Sequence, residues 1–319
     1  LEFVKEQTIK FCKNQVLKSA IMESVNLLAR GEFEQIKMTI DEAMKAGLER
    51  AIGHEYIEDI DARYLESVRN TVTTGWDVVD DVADGGLGKG ELGVFVAPSG
   101  IGKSWALVNV GAAAVKAGLN VIHYTLELNE AYVGLRYDAV LSGIQAQELK
   151  YHIDEVKEIV GKLKGKLIVK LRGHGKEVRH ELGNIYEDLR GLAGEQEIPC
   201  WTASQANRSA LSDDIIGAEK IAESYAKIMT ADLVISLSRK IEDKLANTGR
   251  WHIIKNRFGQ DGITFPSMMN ASNGQINIHA PDSLDGQDVQ ADMNNHSEYL
   301  RKVLKSKYDS ENLTTTKES

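Results

Sequence analysis

The sequence predicts an α/β fold with a central, mostly parallel sheet, preceded by an α-helical hairpin and a linker with a short helix. Short apolar runs alternate with helical stretches from Trp76 onward, and strands that alternate with helices usually lie parallel in one sheet. The last three runs follow one another through short turns, which favours antiparallel strands at one end of the sheet. In the first 50 residues, apolar positions recur mostly at three- and four-residue steps, the spacing of amphipathic helices.

Residues 1–50 are predicted to form two helices that separate at Gly31. An isolated hairpin has no partner for its apolar faces, so the sequence leaves open whether it serves packing alone or the assembly of several chains. Residues 51–73 are more polar, and we expect a linker there with a short helix around Asp61–Val68.

Residues 74–280 contain the apolar runs that we expect to form strands. In chain order these runs are V-F-V, N-V-I-H-Y, K-L-I-V-K, I-P-C-W-T, D-L-V-I-S-L, W-H-I-I-K, G-I-T-F-P and Q-I-N-I-H. Residues 281–319 are polar, and we expect a mobile tail there with one short helix at Tyr299–Tyr308.

The composition limits the class of protein. No apolar run reaches the roughly 18 residues that a membrane helix needs, so we expect no membrane partner. Cys12 and Cys200 lie far apart and in no metal-ligand spacing, which is typical of reduced thiols in a cytoplasmic protein. The net charge is −9, so any surface that contacts nucleic acid must be local, such as the lining of a channel.

A phosphate-binding loop follows the first apolar run. Residues 97–104 read A-P-S-G-I-G-K-S between the strand-like V-F-V and a helical stretch. At such a turn, Gly100 and Gly102 let backbone N–H groups converge on phosphates, and the helix N-terminus favours negative charge. Lys103 should reach the β- and γ-phosphates, and Ser104 should help to hold Mg²⁺. The sequence therefore predicts ATP and Mg²⁺ as cofactors.

The loop departs from the usual pattern at its first position, where Ala97 stands in place of Gly. That position needs a small residue more than a flexible one, so the departure weakens the match little. The remaining residues of the predicted nucleotide-binding loop are Pro98, Ser99 and Ile101.

A glutamate ends the next strand-like run, N-V-I-H-Y-T-L-E. Lys103 and Glu127 are one helix and one strand apart, so in a parallel sheet both lie at the edge where the strands end and ligands bind. A carboxylate there can orient and polarise the water that attacks the γ-phosphate. Many kinases have no such glutamate, because their acceptor is another substrate.

Four segments resemble DnaB-type replicative helicases, in the order that this family has them. T-L-E-L-N-E, which contains Glu127, resembles the family's S-L-E-M segment, and residues 74–92 are similar to the stretch that leads into its phosphate loop. Residues 198–208 resemble the fourth-strand motif that ends in Gln, and residues 255–259 resemble the Lys-x-Arg-x-Gly segment. The resemblance covers about residues 74–280 and is weaker over residues 1–73. In overall style the sequence resembles the bacteriophage members of the family.

The resemblance implies a RecA-like P-loop NTPase core and roles at the matching positions. Gln205 would contact the γ-phosphate and relay its presence to DNA-binding loops. Arg257 would be an arginine finger that reaches the neighbouring subunit's nucleotide, with Lys255 beside it. An Arg supplied in this way stabilises the charge that develops on the transferring phosphoryl group. Asn207 and Arg208 begin a polar loop that is expected to face a central channel.

The function implied is an ATP-driven DNA helicase motor that translocates on single-stranded DNA during phage DNA replication. The implied assembly is a homo-oligomer, a hexameric ring, in the host cytoplasm, with a primase and a helicase loader as further partners. A RecA-type strand-exchange recombinase that forms filaments is the first alternative, although the hairpin and the Lys-x-Arg segment fit it less well. A non-motor ATP-dependent scaffold is the second alternative.

One expected element is missing from the sequence. A hydrolytic phosphate-loop enzyme should have an apolar strand that ends in Asp, which helps to hold Mg²⁺. Between Glu127 and Gln205, K-L-I-V-K leads into L-R-G-H-G-K, and Asp188 lies in a helical stretch. We hypothesise that a segment on the order of 30 residues, one strand and its crossover, is missing around Lys170–Gly173. The alternative is a degenerate site that binds ATP and hydrolyses it poorly.

Overall fold

Contacts within the chain divide it into two units, Leu1–Val68 and Arg69–Ser319. The fold is that of a computed structural model, which describes residues 2–29, 33–45, 57, 60, 69–171, 182–220 and 229–315. The helix expected at Asp61–Val68 lies outside these residues, as do Arg172 and Gly173, where we expect the missing segment. Those two expectations therefore stay predictions.

The first unit contains two helices at the positions where the sequence predicts a hairpin. They are α1 (Glu2–Ala29) and α2 (Phe33–Lys45), and they pack against each other. The residues that line the cleft between them are Ile21, Ser24, Val25, Leu28, Ile36 and Ile40. Several large apolar side chains on both helices remain exposed within this unit, among them Met22 and Phe33.

The second unit contains ten strands and seven helices within its described residues. In chain order they are β1 (Thr71–Val72), α3 (Asp77–Val82), β2 (Leu87–Gly88), β3 (Leu92–Ala97), α4 (Lys103–Lys116), β4 (Val121–Thr125), α5 (Glu130–Ser142), α6 (Ile153–Gly161), β5 (Leu167–Leu171), α7 (Leu182–Gln196), β6 (Cys200–Gln205), β7 (Leu233–Ser238), α8 (Ile241–Leu245), β8 (Thr248–Asn256), β9 (Thr264–Met269), β10 (Ile276–Ile278) and α9 (Leu284–Thr315). Short 3₁₀ turns lie at Leu149–Tyr151, Arg208–Ser212 and Ala218–Lys220.

The main sheet has six strands in the order β10-β9-β8-β7-β3-β6. β3 is parallel to both of its neighbours, β6 and β7. β9 is antiparallel to both of its neighbours, β8 and β10, and β8 is antiparallel to β7. Short turns join β8 to β9 and β9 to β10, and only antiparallel strands can be joined so closely. The mixed sheet is therefore the one that the order of apolar runs predicts.

Helices cover both faces of β3. Leu92, Val94 and Val96 face the cluster that contains Tyr186 of α7. Phe95, on the other face, packs in the cluster that contains Ala106 and Val110 of α4 and the indole rings of the core. Because both faces are covered, β3 is a continuous apolar run in which every residue is buried, as in parallel sheets generally.

β4 and β5 form a separate sheet of two parallel strands. Helix α4 packs against β3, β6 and β4, so it connects the two sheets on one side. Ile122 and Tyr124 of β4 are 59% and 61% exposed, although parallel strands are normally buried on both faces. Within residues 69–171, 182–220 and 229–315, no strand bridges the two sheets by pairing with β4 on one side and β6 on the other.

The C-terminal region corrects one expectation. In place of a mobile tail with a short helix at Tyr299–Tyr308, the chain forms one helix, α9, from Leu284 to Thr315. Val289 and Met293, one turn apart on α9, are buried, and the helix packs against β9 and α8. This short apolar stripe anchors a helix whose sequence is otherwise polar enough to suggest disorder.

Candidate nucleotide site

The phosphate-binding loop lies at the carboxyl end of β3, inside the main sheet. β3 ends at the fully buried Ala97, and α4 begins at Lys103. Gly100 and Gly102 have φ angles of 76° and 129°, which side chains other than Gly rarely adopt. A Cβ atom at Gly102 would also lie 2.9 Å from Cε of Met269. The shape of the loop therefore explains both glycines.

The ammonium group of Lys103 lies against its own loop. Its Nζ donates hydrogen bonds to the carbonyl oxygens of Ala97 at 2.7 Å and Pro98 at 2.9 Å. Burial lowers the pKa of Lys103 from its ordinary value, and the negative charge of Glu127 opposes that shift. Ser104 is exposed in the first turn of α4. Lys103 and Ser104 therefore lie where a phosphate chain on the helix N-terminus would meet them.

Glu127 lies in a tight turn directly after β4. Oγ1 of Thr125 accepts a hydrogen bond from the Leu128 N–H at 3.1 Å and donates one to the Leu128 carbonyl oxygen at 2.8 Å. The Asn129 side chain accepts a backbone N–H bond in the first turn of α5. These bonds hold the turn on both sides of Glu127, whose side chain is exposed. The charge of Glu127 raises the pKa of Lys103, as expected of two side chains within electrostatic reach of each other.

Gln205 ends β6 directly beside the phosphate loop. The register of the parallel pair matches Gln205 with Ala97, and the Ala206 N–H donates to the Ala97 carbonyl oxygen at 3.1 Å. The Gln205 side chain is exposed. Lys103 and Gln205 thus share the edge at which β3 and β6 end, and Glu127 follows β4 of the separate two-stranded sheet.

The loop expected to face a channel leaves from the same edge. Asn207 follows Gln205 closely, and its N–H donates to the carbonyl oxygen of Lys220 at 2.9 Å. Between them, Arg208–Ser212 forms a 3₁₀ turn, and Lys220 forms an ion pair with Asp213 at 3.2 Å. The loop is therefore tied at its base, and residues 221–228 after it lie outside the described part of the chain.

Arg257 and Lys255 lie at the opposite edge of the sheet from Lys103. β8 is antiparallel to β7, so Asn256, the last residue of β8, pairs with Leu233, the first residue of β7. Arg257 follows at the edge where β3 begins. The six residues of β3 separate that edge from the phosphate loop by roughly 17 Å at the usual rise per residue. Arg257 therefore does not reach the phosphate loop of its own chain.

Two residues at this second edge were not predicted from the sequence. Asp232 is buried and pairs with Arg257 and with Arg190 of α7. Asp232 could have been predicted from its position immediately before the apolar run L-V-I-S-L, because a carboxylate at the start of a buried strand needs a partner. Nothing in the sequence of α7 singles out Arg190.

The residues at the phosphate-loop edge fit a nucleotide better than they fit a metal ion alone. In the described residues, no three His, Cys, Asp or Glu side chains are grouped so as to hold a metal. Ser104 is the one predicted Mg²⁺ ligand whose position is described. Mg²⁺ commonly takes few protein ligands together with substrate phosphates, and the acidic side chain expected beside Ser104 is not found among the described residues.

In the part of the chain that the structure describes, none of the helices has the length and apolar character that crossing a membrane requires.

No protein-family model matches the chain. The chain is 23% identical over 270 residues to a DnaB-like replicative helicase of Enterobacteria phage T4, an alignment that covers 68% of this chain and 57% of the T4 protein. The chain thus spans little more than half the length of this relative.

Two solved structures have the same fold. One is described as an ATPase domain, with a TM-score of 0.58, 15% identity, and coverage of 69% of this chain and 96% of that one. The other is a DnaB-like replicative helicase described with its interactions with primase, with a TM-score of 0.65, 16% identity, and coverage of 86% and 77%. The RecA-like fold and the resemblance to DnaB-type replicative helicases, including phage members, are confirmed.

Proposed function

We propose that the protein is an ATP-driven helicase motor that translocates on single-stranded DNA during phage DNA replication. One observation carries this proposal. Lys103 and Gln205 lie at the edge of the main sheet where β3 and β6 end, Glu127 lies within electrostatic reach of Lys103, and Arg257 is fixed at the opposite edge. The groups that bind and activate ATP therefore belong to two copies of the chain, as ATP hydrolysis at the subunit interfaces of a ring requires.

Each residue has a role that follows from its position. Lys103 binds the β- and γ-phosphates, Ser104 binds Mg²⁺, and Glu127 polarises the attacking water. Gln205 contacts the γ-phosphate and connects it to the loop that begins at Asn207. Arg257, with Lys255 beside it, completes the site of the next subunit. ATP supplies the energy, and Mg²⁺ neutralises charge on its phosphates.

Single-stranded DNA would pass through a channel lined by the loop at Asn207 and Arg208. The net charge of −9 argues against a broad basic surface, so the contact must be confined to this lining. Binding through backbone charge and stacking implies little sequence preference.

The assembly that we propose is a hexameric ring in the host cytoplasm. The helical pair α1–α2 has exposed apolar side chains that suit contacts between copies. A primase is a reasonable further partner, because a structural relative is described with its interactions with primase. A helicase loader is the other partner that the family resemblance suggests.

The chain also needs an acid for Mg²⁺, and we propose that a strand with this acid belongs between β4 and β6. Among the described strands, β4 pairs with β5 alone and β6 with β3 alone, and Ile122 and Tyr124 are exposed; both facts support a gap there. The alignment with the T4 protein runs over 270 positions but takes in 68% of this 319-residue chain. It therefore contains gaps in this chain opposite residues that the T4 protein has. If no such segment exists, a scaffold that binds ATP and hydrolyses it slowly is the better interpretation.

The decisive experiment measures ATP hydrolysis with and without single-stranded DNA for the wild type and for Glu127→Gln. We expect stimulation by DNA in the wild type and near-complete loss in the variant, because Gln cannot take a proton from water. Glu130→Gln is the matched control, since Glu130 lies three residues further on and accepts the Leu171 N–H at 2.9 Å. A Glu127→Gln rate equal to that of the wild type would remove Glu127 from the catalytic role.

Electron microscopy of the protein with single-stranded DNA and ATP addresses the assembly. Closed rings are expected of a helicase, and helical filaments would favour a strand-exchange recombinase. DNA unwinding by the same preparation would exclude a passive scaffold.

A further inference from the structure

A single buried carboxylate binds two guanidinium groups at the edge where β3 and β7 begin. Oδ2 of Asp232 pairs with Nη1 of Arg190, and Oδ1 pairs with Nη1 of Arg257 at 3.1 Å. The Asp232 side chain is 3% exposed, whereas the side chains of Arg190 and Arg257 are 34% and 45% exposed. A guanidinium group has five donors. Both arginines can therefore keep Asp232 as a partner while presenting further donors at the surface.

Backbone hydrogen bonds fix this arrangement to the sheet. Oδ2 of Asp232 accepts the Leu92 N–H at 2.9 Å, and the Asp232 N–H donates to the Leu92 carbonyl oxygen at 2.8 Å. The Arg257 N–H donates to the Asp232 carbonyl oxygen at 3.0 Å. The Met229 carbonyl oxygen accepts Nη2 of Arg257 at 3.2 Å and Nζ of Lys255 at 2.8 Å. The cationic groups are therefore held in place before any ligand arrives.

The described residues of this cluster carry more positive than negative charge. Burial lowers the pKa of Arg190 and of Lys255, and repulsion from Arg257 lowers both further. Glu91 partly offsets the shift at Arg190, but its carboxylate is already bound by a different arginine at 2.6 Å. An anion that arrives at the exposed sides of these groups would relieve the repulsion.

We propose that Arg190 and Arg257 form a two-guanidinium site for the terminal phosphate of a nucleoside triphosphate bound to a neighbouring copy, with Asp232 as the positioning residue that holds the two groups side by side. The identity of the ligand rests on the proposed function, in which this edge of one subunit faces the phosphate loop of the next. Guanidinium groups suit this ligand, because their planar donors match phosphate oxygens in pairs. Arg190 thereby becomes a further cation supplied between subunits, in addition to Arg257 and Lys255.

The first test uses inorganic triphosphate and does not depend on hydrolysis. In a Lys103→Ala background, which disables the chain's own phosphate loop, calorimetry measures the affinity that remains. We expect Arg190→Ala and Arg257→Ala each to weaken that affinity about tenfold, the typical loss for one charge-assisted hydrogen bond. Lys89→Ala is the control, since Lys89 is an exposed cation near the start of β3 that pairs with Glu197 at 3.3 Å. Losses no larger than that of Lys89→Ala would overturn the site.

The second test is a double-mutant cycle on ATP turnover. Asp232→Asn should lower kcat about tenfold with little change in KM for ATP, because the arginines act on the transition state. If Asp232 acts through Arg257, the double variant with Arg257→Ala is no slower than Arg257→Ala alone. Losses that multiply would instead assign Asp232 a separate structural role and overturn the positioning role. Arg190→Ala in the same cycle leaves Asp232 in place, so it tests the pair even if Asp232→Asn does not fold.

The two tests separate this site from the proposed function. A wild-type protein that hydrolyses no ATP with or without DNA contradicts the helicase proposal. The triphosphate measurement would still support or overturn the anion site in that case.

Discussion

Nη1 of Arg257 lies 3.1 Å from Oδ1 of Asp232, at the edge of the main sheet where β3 and β7 begin. The phosphate loop of the same chain lies at the other edge, roughly 17 Å along β3. A cation fixed at that distance does not reach a nucleotide in the phosphate loop of its own chain. Under the proposed function, the complete nucleotide site therefore belongs to a pair of subunits.

Removal of Arg257 should separate ATP binding from ATP hydrolysis. We expect Arg257→Ala to bind a fluorescent ATP analogue with wild-type affinity at concentrations below assembly, because its own phosphate loop is unchanged. Its kcat in the assembled state should fall by about 10³-fold, the lower range for loss of an arginine finger. Weaker analogue binding by the unassembled variant would contradict the assignment of Arg257 to the neighbour's site.

Removal of Lys103 should strongly weaken ATP binding. Lys103 opens α4 and lies against the phosphate loop, so Lys103→Ala should weaken ATP binding by about 100-fold, on the order of two charge-assisted hydrogen bonds. Lys116→Ala is the matched control, since Lys116 is an exposed lysine in the last turn of the same helix. Equal affinities for the two variants, measured by equilibrium titration, would rule out the predicted role of Lys103.

The affinity for ATP should fall at alkaline pH earlier than an ordinary lysine would allow. Burial lowers the pKa of Lys103 from 10.5, and only the charged ammonium group binds phosphate strongly. Binding is therefore complete below the lowered pKa and weakens as the pH rises through it. Glu127→Gln should move the loss to still lower pH, because the charge of Glu127 raises the pKa of Lys103.

The control for this titration is Lys103→Arg, which keeps its charge throughout the range. Its affinity for ATP should be independent of pH between neutral pH and the onset of alkaline unfolding. A wild-type titration that is equally flat would contradict the lowered pKa.

The second unit should lose stability when Arg69 is replaced. Its guanidinium group binds both carboxylate oxygens of Glu91, at 2.8 and 2.6 Å, and the carbonyl oxygens of Ala83 and Gly86. It also lies 3.3 Å from the centre of the Phe258 ring. Because Arg69 and Glu91 are both largely buried, Arg69→Ala should cost about 2–4 kcal/mol in the free energy of unfolding.

Denaturant titration measures this loss. Lys89→Ala is again the control, since its ion pair with Glu197 is exposed and should contribute less than about 1 kcal/mol. A loss in Arg69→Ala no larger than in Lys89→Ala would show that the network around Arg69 contributes little.

The intact mass of the protein made from its gene should exceed 35.2 kDa, the mass of the 319 residues. The reason is the strand that we place between β4 and β6, together with its crossover. Because residues before Leu1 or after Ser319 would also raise the mass, mass spectrometry of the peptides across Lys170–Gly173 decides this point. A mass equal to 35.2 kDa would favour the degenerate site, with ATP binding and slow hydrolysis.

Much of the nucleotide site could be predicted from the sequence, because its residues follow strands that are easily recognised. The phosphate loop lies between an apolar run and a helix, and Glu127 and Gln205 each end an apolar run. In a parallel sheet, strand ends share one edge, so the pattern predicts that these side chains meet. In the structure, Gln205 pairs with Ala97 of the loop and the charge of Glu127 acts on Lys103, whereas the roles of these residues remain proposals.

Other features could not be predicted, because they depend on packing between distant parts of the chain. The anchoring of α9 rests on Val289 and Met293, two apolar residues in a polar sequence. The contact of Arg190 with Asp232 joins α7 to the start of β7, and no local sequence pattern predicts such a pair. The conformations of Gly100 and Gly102, by contrast, follow from the motif itself.

The sequence by itself determined the order of strands and helices, the phosphate loop and the lack of an apolar run ending in Asp between Glu127 and Gln205. These features depend on residues within a few positions of one another. The spacing of apolar residues and of glycines in the sequence therefore predicts them. Only the tertiary structure decided that the sheet is divided between β4 and β6, and that Arg257 lies with Asp232 and Arg190 at the edge opposite Lys103. Strand order and direction decide both, and they arise from contacts between residues far apart in the chain, which no short pattern encodes.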